Sequence, residues 1–243
     1  MTTLILSDLH LAASRTHLME RFAAFCAGAA LNAHRLYILG DLFDVWLGDD
    51  QLKHDPAAAR VAQWLSALAS PDRKIFIQHG NRDFLLGETF ARTASVTLID
   101  DPTVVDLDGV RTVLTHGDLL CTDDRKYQNF RRHLRQPSRL KWIALLPYGV
   151  RAKVAALMRR QSQEEQKAKP AYLMDVNQEA VLALARQFNA TRIIHGHTHQ
   201  PATHTFQIDG KTATRIVLPD WREDDDQGHY LEINEHSLHI KSL

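Results

Sequence analysis

Five apolar runs that each end in a small polar cluster constrain the fold of this chain more than any other feature. The runs occupy residues 4–6, 36–39, 75–77, 113–114 and 193–194. The clusters that follow them contain Asp8 and His10, Asp41, Asn81 to Asp83, His116 to Asp118, and His197 with His199. Short apolar runs bounded by turn residues predict buried strands. Because ligands of open α/β sheets bind beyond the carboxyl ends of the strands, we expect the clusters to converge on one site.

The segments between the early strands have the periodicity of amphipathic helices. Leu18, Phe22 and Phe25 fall on one face of a helix expected over residues 15–32, and a second helix is expected over 56–68. Further strands are expected over residues 104–107, 215–218, 230–233 and 238–240, and a helix over 175–188. A β-α-β-α-β start followed mostly by strands predicts an α/β fold with a second, partly antiparallel sheet.

Residues 125–169, called the basic insertion below, interrupt this pattern. They contain thirteen Lys or Arg and only two acidic residues, a net charge of +11 that the rest of the chain balances. We expect two or three helices, broken at Pro137 and Pro147, between the core segments 1–124 and 170–243. Such a local charge imbalance indicates a surface that faces an anionic partner.

Three interpretations of the basic insertion are open: a solvated surface, a nucleic-acid site, or an element that lies on an anionic membrane. Apolar side chains are interleaved with the basic ones, namely Trp142, Leu145, Leu146, Leu157 and Met158. This mixture is typical of amphipathic helices on anionic membrane surfaces. We therefore expect an anionic membrane surface as partner, and no nucleic acid or protein partner. A nucleic-acid site is the alternative.

The residues of the polar clusters have the chemistry of metal ligands. Asp8 and His10 are separated by one residue, so an extended backbone would point both side chains to one face. His197 and His199 have the same spacing. Carboxylate, amide and imidazole ligands without thiolate suit Mn²⁺, Fe²⁺ or Zn²⁺. The seven candidates exceed the needs of one ion and fit two: Asp8, His10, Asp41, Asn81, His116, His197 and His199. Asp41 is the expected bridge.

Each motif taken alone has a simpler explanation. An isolated Asp-x-His is usually a strand end, a Gly-Asp pair is a turn, and a single histidine such as His116 can be a hydrogen-bonded core residue. A non-catalytic metal-binding scaffold is a further alternative. The occurrence of all the ligand types in this order, each after an apolar run, favours a catalytic metal site.

The series Asp-x-His, Gly-Asp, Gly-Asn-Arg-Asp, His and Gly-His-x-His resembles the signature of the calcineurin-like metallophosphoesterases. The resemblance implies an α/β fold in a four-layer α/β/β/α sandwich that holds two divalent metal ions, and Mn²⁺ is the ion we expect. It implies that Asp8, His10, Asp41 and His199 hold one ion, while Asp41, Asn81, His116 and His197 hold the other. Catalytic roles are implied for Asp41, Asn81, Arg82 and His116, and Asp83 and Asp118 are expected to orient the ligands.

Residues 40–50, 79–84 and 116–124 are also similar to the UDP-2,3-diacylglucosamine hydrolases of lipid A synthesis, which have a helical lid like the basic insertion. This resemblance implies that a nucleotide-diphosphate glycolipid is cleaved into UMP and 2,3-diacylglucosamine 1-phosphate, by a hydroxide that two metal ions activate and that attacks the α-phosphate. It implies substrate contacts from Asn81, Arg82, Asp124, Ser162, Gln166, Lys169 and His197, to which we add Tyr127 and Arg159. A metal-dependent nuclease or another phosphodiesterase of the same superfamily is the alternative function.

Arg82 is informative about the leaving group. Many calcineurin-like relatives have a histidine at this position as general acid, whereas arginine does not give up a proton at neutral pH. Arginine suits a leaving group that needs no proton, such as a phosphate released from a pyrophosphate, and it can clamp phosphate oxygens. The alternative is a purely structural salt bridge.

The remaining composition predicts a cytoplasmic protein. Two cysteines, Cys26 and Cys121, are too few for a disulfide framework. The first residues lack the basic and apolar regions of a signal peptide, and no apolar run approaches the roughly 18 residues of a membrane span. Together with the basic insertion, this predicts a protein that is peripheral on the inner face of the inner membrane.

Overall fold

The computed structural model describes residues 1–168, 173, 175–225, 227–235 and 237–243, with the backbone alone at residues 137 and 163–168. The strands are β1 (Thr3–Leu6), β2 (Arg35–Leu39), β3 (Lys74–Gln78), β4 (Thr97–Leu98), β5 (Thr103–Leu107), β6 (Val110–Thr115), β7 (Arg192–His195), β8 (Ala202–Ile208), β9 (Lys211–Val217), β10 (His229–Asn234) and β11 (Ser237–Ser242). The α-helices are α1 (Thr16–Ala27), α2 (Gln51–His54), α3 (Pro56–Leu68), α4 (Glu88–Ala94), α5 (Arg125–Leu134), α6 (Pro137–Leu145), α7 (Tyr148–Ala168) and α8 (Gln178–Phe188). Short 3₁₀ helices cover Ala29–Asn32 and Asp118–Leu120.

Two mixed sheets form the centre of the molecule. The first has the strand order β11-β10-β1-β2-β3-β4 and the second the order β5-β6-β7-β9-β8. Strands β1 to β4 are parallel to one another, as are β6, β7 and β9, and the other pairs are antiparallel. Crossovers through helices make parallel pairing possible in the first half of the chain. The two sheets confirm the α/β fold class with a second, partly antiparallel sheet.

Alternation of side chains along the strands separates three apolar cores. Leu4 and Leu6 of β1 pack with α1 and α3, whereas Ile5 points toward the second sheet. The core between the sheets contains Ile5, Tyr37, Leu39, Leu107, Leu114, Ile194, Ile216, Leu218, Leu231 and Ile233. A third core packs Val181 and Ala185 of α8 against the outer face of the second sheet. The order helix, sheet, sheet, helix confirms the four-layer α/β/β/α sandwich.

Several elements differ from those expected. The helix expected over 15–32 is divided at Gly28, whose φ of −127° and ψ of −98° lie outside the helical region. The helix expected from residue 175 begins at Gln178, because the Asn177 side chain accepts two backbone N–H groups of the first turn. Strand β8 was not expected. It lies at a sheet edge with mostly exposed side chains, so it lacks an apolar run.

The basic insertion contains the helices α5, α6 and α7, with α6 starting at Pro137 and α7 just after Pro147. Its apolar side chains are exposed, by 73% at Trp142, 75% at Leu145 and 69% at Leu157. Large exposed apolar side chains on successive helices are typical of a surface that binds an apolar ligand or partner. None of the described helices combines the length and the apolar character needed to cross a bilayer.

Candidate metal centre

The loops after five strands bring the seven candidate ligands together at one edge of the sandwich. Asp8 and His10 follow β1, Asp41 follows β2, Asn81 follows β3, His116 follows β6, and His197 and His199 follow β7. One potential ligand atom from each of Asp8, His10 and His199 lies within 4.8 Å of the other two, and the same holds for Asp8, Asp41 and His116. The expected convergence of the polar clusters is therefore seen in the structure.

Five of the seven candidate ligands have a left-handed backbone rather than an extended one. Their φ angles are 56° at Asp8, 50° at His10, 52° at Asp41, 66° at His197 and 53° at His199. The extended spacing expected for the Asp-x-His and His-x-His pairs is therefore wrong, although both members of each pair do reach the site. A non-glycine residue in this region costs about 1–2 kcal/mol, and such strain is concentrated at functional sites.

Two glycines allow the loops to approach closely enough. A Cβ atom at Gly80 would overlap the Asp41 carboxylate, and one at Gly196 would overlap the carboxylate of Asp8 and the hydroxyl of Ser7. Any side chain at either position would push the two carboxylates out of the site. The Gly-Asn and His-Gly-His sequences thus have a steric role as well as a chemical one.

His10 shows why the first half of the centre fits a cation. Both of its ring nitrogens are buried and neither has a hydrogen-bond partner among the described residues. Nε2 lies 3.9 Å from Asp8 Oδ1 and Nδ1 lies 3.8 Å from Asp41 Oδ2, while His199 Nε2 lies 3.3 Å from Asp8 Oδ1. Buried polar atoms without partners are rare. A divalent ion between these groups would give the His10 ring the partner it lacks.

The second half of the centre is arranged around the Asn81 amide oxygen. His116 Nε2 and His197 Nδ1 each lie 2.9 Å from Asn81 Oδ1. Asp41 Oδ1 lies 3.9 Å from His116 Nε2, so Asp41 stands between His10 on one side and His116 on the other. One oxygen, two imidazoles and a carboxylate that faces both halves are a suitable donor set for a second divalent ion.

Neighbouring groups fix the orientation of the candidate ligands. His116 Nδ1 lies 2.9 Å from the Leu39 carbonyl oxygen, so Nε2 is the ring nitrogen that faces the other candidate ligands. His199 Nδ1 lies 3.2 Å from Asp220 Oδ2. Contacts of this kind set the tautomer of metal-binding histidines. Asp220 follows the run 215–218 after one residue, as Asp8 follows the run 4–6 and Asp41 the run 36–39, so its position in the sequence was a signal for it.

Asp83 and Asp118 differ in what they hold. Asp83 accepts the backbone N–H groups of Gly80 at 2.7 Å and Leu42 at 2.8 Å, and thereby ties the Asn81 loop to the Asp41 loop. Asp118 instead accepts hydrogen bonds from three side chains of the basic insertion, those of Tyr127 and Arg131 in α5 and of Arg135 just after it. Asp83 therefore orients the ligand loops as expected, whereas Asp118 fastens the basic insertion to the core.

Burial sets the direction of the pKa shifts of Asp41, His10 and His197, whereas the surrounding carboxylates outweigh it at His116 and raise the pKa of that ring to about 9. Burial raises the pKa of the Asp41 carboxyl to about 7, and the nearby charges of Asp83 and Asp8 add to that shift. It lowers the pKa values of His10 and His197 to about 3, which keeps both rings neutral. Neutral imidazoles are the form that binds metal ions, and a cation would favour the ionised form of Asp41.

Arg82 lies at the edge of the centre, where its side chain is 30% exposed. Its backbone N–H donates to Asp41 Oδ1 at 2.8 Å, and its Nε lies 3.6 Å from Asp41 Oδ2. Its Nη1 donates to Asp44 Oδ1 at 3.3 Å. The salt bridge foreseen as an alternative is therefore present, and it holds the guanidinium beside the candidate ligands.

The expected substrate contacts are spread over the basic insertion. The Asp124 carboxylate caps α5 by accepting the Tyr127 N–H at 3.0 Å, and the Tyr127 ring centroid lies 6.2 Å from that of His197. Arg159 contacts Asp44 next to Arg82. Ser162 is exposed on α7. The side chain of Gln166 and the whole of Lys169 lie outside the described residues.

Comparison with known proteins agrees with the geometry. The family model for calcineurin-like phosphoesterases matches residues 1–201. A UDP-2,3-diacylglucosamine hydrolase of Aeromonas hydrophila is 48% identical over 92% of this chain and 92% of its own length. A protein of the same name from Pseudomonas aeruginosa is 44% identical over 96% of this chain and 95% of its own.

A solved structure supports the fold independently. A novel archaeal phosphodiesterase is similar to this chain with a TM-score of 0.51 at 13% identity, and the match covers 100% of both chains. At that identity the similarity speaks only for the architecture. The extent of the family match and the identity of the bacterial relatives settle the family. The chain belongs to the calcineurin-like phosphoesterase family.

Proposed function

We propose that this protein hydrolyses the pyrophosphate bond of UDP-2,3-diacylglucosamine to UMP and 2,3-diacylglucosamine 1-phosphate, a step of lipid A synthesis. The observation that carries the proposal is the position of Arg82, whose Nε lies 3.6 Å from Asp41 Oδ2. Many relatives have at this position a histidine that donates a proton to the leaving group. A pyrophosphate supplies a leaving group that needs no proton. The hydrolase names of the bacterial relatives, which match nearly the whole chain, support the same substrate.

The proposed metal ligands are those that surround the two halves of the centre. Asp8, His10, Asp41 and His199 would hold one divalent ion, and Asp41, Asn81, His116 and His197 the other. Mn²⁺ is the proposed ion, since carboxylate, amide and imidazole donors suit it. When bound, the two ions supply Lewis-acid activation of a water and neutralise charge on the phosphate.

The chain's own residues would then align the reacting groups. The Arg82 guanidinium, held against Asp41 and Asp44, can donate to phosphate oxygens as charge develops on them. The neutral ring of His197 adjoins Asn81 on the side of Tyr127 and the basic insertion. Catalytic roles are proposed for Asp41, Asn81, Arg82 and His116, because Asp41 faces both halves and adjoins Arg82 and His116, and His116 in turn contacts Asn81.

The basic insertion, residues 125–169, is the proposed lid for the acylated sugar phosphate. Arg159 offers charge close to Arg82, and the proposed further contacts are Asp124, Tyr127, Ser162, Gln166 and Lys169. Exposed side chains such as Leu157 supply apolar area for acyl chains. Binding energy from these remote groups can be used to hold the reacting phosphate in place. The nucleotide would then point outward with its α-phosphate over the metal centre.

Peripheral association with the inner face of the inner membrane is also proposed. The supporting observation is the exposed Trp142, which follows the exposed cations Arg139 and Lys141 in α6. An exposed tryptophan beside basic side chains is favourable at the boundary between anionic headgroups and acyl chains. A protein placed there would meet a diacylated substrate in the membrane that contains it.

Hydrolysis in ¹⁸O-labelled water tests the function and the site of attack together. The protein loaded with Mn²⁺ is incubated with UDP-2,3-diacylglucosamine in detergent micelles, and both products are weighed by mass spectrometry. We expect UMP that carries the label and unlabelled 2,3-diacylglucosamine 1-phosphate. Label confined to the lipid phosphate would contradict attack at the α-phosphate. Absence of turnover, together with metal-dependent degradation of single-stranded DNA, would favour the nuclease alternative.

A further inference from the structure

Asp44 is a buried carboxylate, 9% exposed, that three arginines surround. Arg82 Nη1 lies 3.3 Å and Arg15 Nη2 3.2 Å from Asp44 Oδ1. Arg159 of α7 donates from Nη2 to Oδ1 at 2.6 Å and from Nη1 to Oδ2. The last pair is bidentate, the geometry in which arginine and carboxylate bind most strongly. The Asp44 carboxylate thus joins the loop after β3, which carries Arg82, to helix α7 of the basic insertion.

The charge on Asp44 is well defined. Burial alone would raise the pKa of its carboxyl, but the hydrogen bond from Arg159 and the positive charges around it hold the pKa below its usual range. Three guanidinium groups against one carboxylate leave two positive charges in excess, and each of the three side chains is about a third exposed, between 28% and 32%. The cluster therefore faces solvent with a net positive charge beside Asp41.

The backbone around Asp44 is fixed on both sides. The Asp44 N–H donates to the Leu11 carbonyl at 3.0 Å, and the Trp46 N–H donates to the Arg82 carbonyl at 3.0 Å. Arg82 is held in turn by its own N–H, which donates to Asp41. Arg159, in contrast, comes from a helix 115 residues further along the chain. Asp44 therefore has a fixed backbone and contacts both Arg82 and, through Arg159, helix α7.

We propose that Asp44 is a positioning residue that sets the Arg82 guanidinium over the metal centre and couples its alignment to the docking of α7 through Arg159. The proposal rests on the proposed function and names the group that organises its phosphate-binding arginines. Without the Asp44 carboxylate, the Arg82 guanidinium retains, among the described residues, only its contact with Asp41, and Arg159 loses its bidentate partner in the core. Arg82 would then sample several orientations, so fewer bound substrates would have it aligned for reaction.

A simpler role is possible for such a carboxylate, because the insertion has another attachment of the same kind. Arg151 of α7 pairs with Asp50 and donates to the Leu47 carbonyl at 2.7 Å. Arg151 and Arg82 bind different carboxylates, since Arg151 pairs with Asp50 whereas Arg82 pairs with Asp41 and Asp44. If Asp44 served only to attach α7, the effect of replacing Asp44 on turnover would be the same whether or not Arg82 is present.

A double-mutant cycle separates the two roles, since it measures whether Asp44 acts through Arg82. We compare wild type, Asp44→Asn, Arg82→Gln and the double variant, all loaded with Mn²⁺, on UDP-2,3-diacylglucosamine in micelles. We expect Asp44→Asn to lower kcat by about 10- to 100-fold with KM little changed, and to have almost no further effect in the Arg82→Gln background. Arg151→Gln removes the other attachment of α7, which does not involve Asp44, and serves as the control: its effect on kcat should be the same with and without Arg82.

Three results would overturn the proposal: equal loss in both backgrounds, loss confined to KM, or no loss. If Asp44→Asn does not fold, Asp44→Glu, which keeps the charge but moves it by one methylene, takes its place in the same cycle. Wild-type turnover of the glycolipid tests the proposed function by itself. If the wild type leaves the glycolipid intact, that function fails, and the cycle is run on bis(p-nitrophenyl) phosphate, where the same outcomes decide the role of Asp44.

Discussion

The Tyr127 hydroxyl donates a 2.6 Å hydrogen bond to Asp118 Oδ2, and this contact joins the first helix of the basic insertion to the loop that carries His116. Arg131 Nε donates to the same oxygen at 2.7 Å and Arg135 Nη2 at 3.2 Å. Burial and the Asp118 charge raise the pKa of Tyr127 well above its usual value, so the phenol remains a donor. The start of the insertion is therefore attached to the metal centre, and the ring of Tyr127 is what faces His197.

Removing this hydroxyl is expected to destabilise the protein without removing the metal centre. Tyr127→Phe loses one buried, charge-assisted hydrogen bond, which corresponds to about 1.5–3 kcal/mol of unfolding free energy. Urea unfolding of the metal-free protein measures it. Tyr148→Phe is the control on the same insertion, because the stacking of Tyr148 on His54 uses the ring alone. Equal stability of Tyr127→Phe and Tyr148→Phe would contradict the account of Asp118 as the attachment point.

His195 predicts how stability depends on pH. It is fully buried at the end of β7, where Nδ1 lies 2.9 Å from the Gly196 carbonyl and Nε2 lies 3.1 Å from Arg215 Nη1. Burial, with the Arg215 charge, lowers its pKa from 6.5 to about 4. The folded protein thus resists a proton that the unfolded chain accepts. Its contribution is fully present above pH 6.5 and is lost as pH falls toward about 4.

The expected size of this effect is about 1.4 kcal/mol of unfolding free energy per pH unit within that window. The glutamine of His195→Gln cannot take up a proton in the unfolded state. The slope of unfolding free energy against pH should therefore be smaller in this variant, by an amount that corresponds to nearly one bound proton. Chemical unfolding of both metal-free proteins from pH 4.5 to 7.5 gives the two slopes. Identical slopes would mean that His195 is not held neutral in the folded state.

Membrane binding should depend on the outward-facing cations of the basic insertion. Arg131 and Arg151 are engaged with carboxylates of the core, so they are poor probes of a membrane surface. Lys141 is exposed beside Trp142. Each basic group near an anionic surface is worth about 1 kcal/mol and is screened by salt. Lys141→Glu should therefore weaken binding to phosphatidylglycerol-containing vesicles, and added salt should narrow the difference from wild type.

Vesicle co-sedimentation measures this effect, and Lys211→Glu is the matched control. Lys211 is an exposed lysine at the start of β9, outside the insertion, so its reversal changes the net charge by the same amount. Equal weakening by both variants would show that only net charge matters. Binding to neutral vesicles as tight as to anionic ones would argue against an electrostatic membrane surface.

The sequence was most informative where local pattern and structure coincide. The continuous apolar runs of β1, β2 and β3 are buried on both faces of the first sheet, so they are visible without any tertiary information. The residues directly after them had to lie at the sheet edge. This is why the candidate ligands from Asp8 to His199 could be named in advance, and why Asp220, which follows β9, could have been named with them.

Long-range contacts were beyond the reach of such patterns. Nothing near Asp44 in the sequence indicates that Arg159, 115 residues later, will bind it. The left-handed backbone at Asp8 and His10 was equally hidden, because local preference favours an extended strand end and the packing of neighbouring loops overrides it. Arg131 and Arg151 looked like surface charges until α5 and α7 were placed against the core.

The most direct test of the central claim is turnover of UDP-2,3-diacylglucosamine by metal-stripped protein, by the same protein after Mn²⁺ is restored, and by Asp41→Asn, with bound metal counted by elemental analysis. Asp41 faces both halves of the centre, with Oδ2 3.8 Å from His10 Nδ1 and Oδ1 3.9 Å from His116 Nε2. We predict UMP release only from the reloaded wild type with about two ions per chain, and at least a roughly 100-fold loss in Asp41→Asn that remains folded. Full turnover by protein shown to be metal-free, or by Asp41→Asn, would contradict the account.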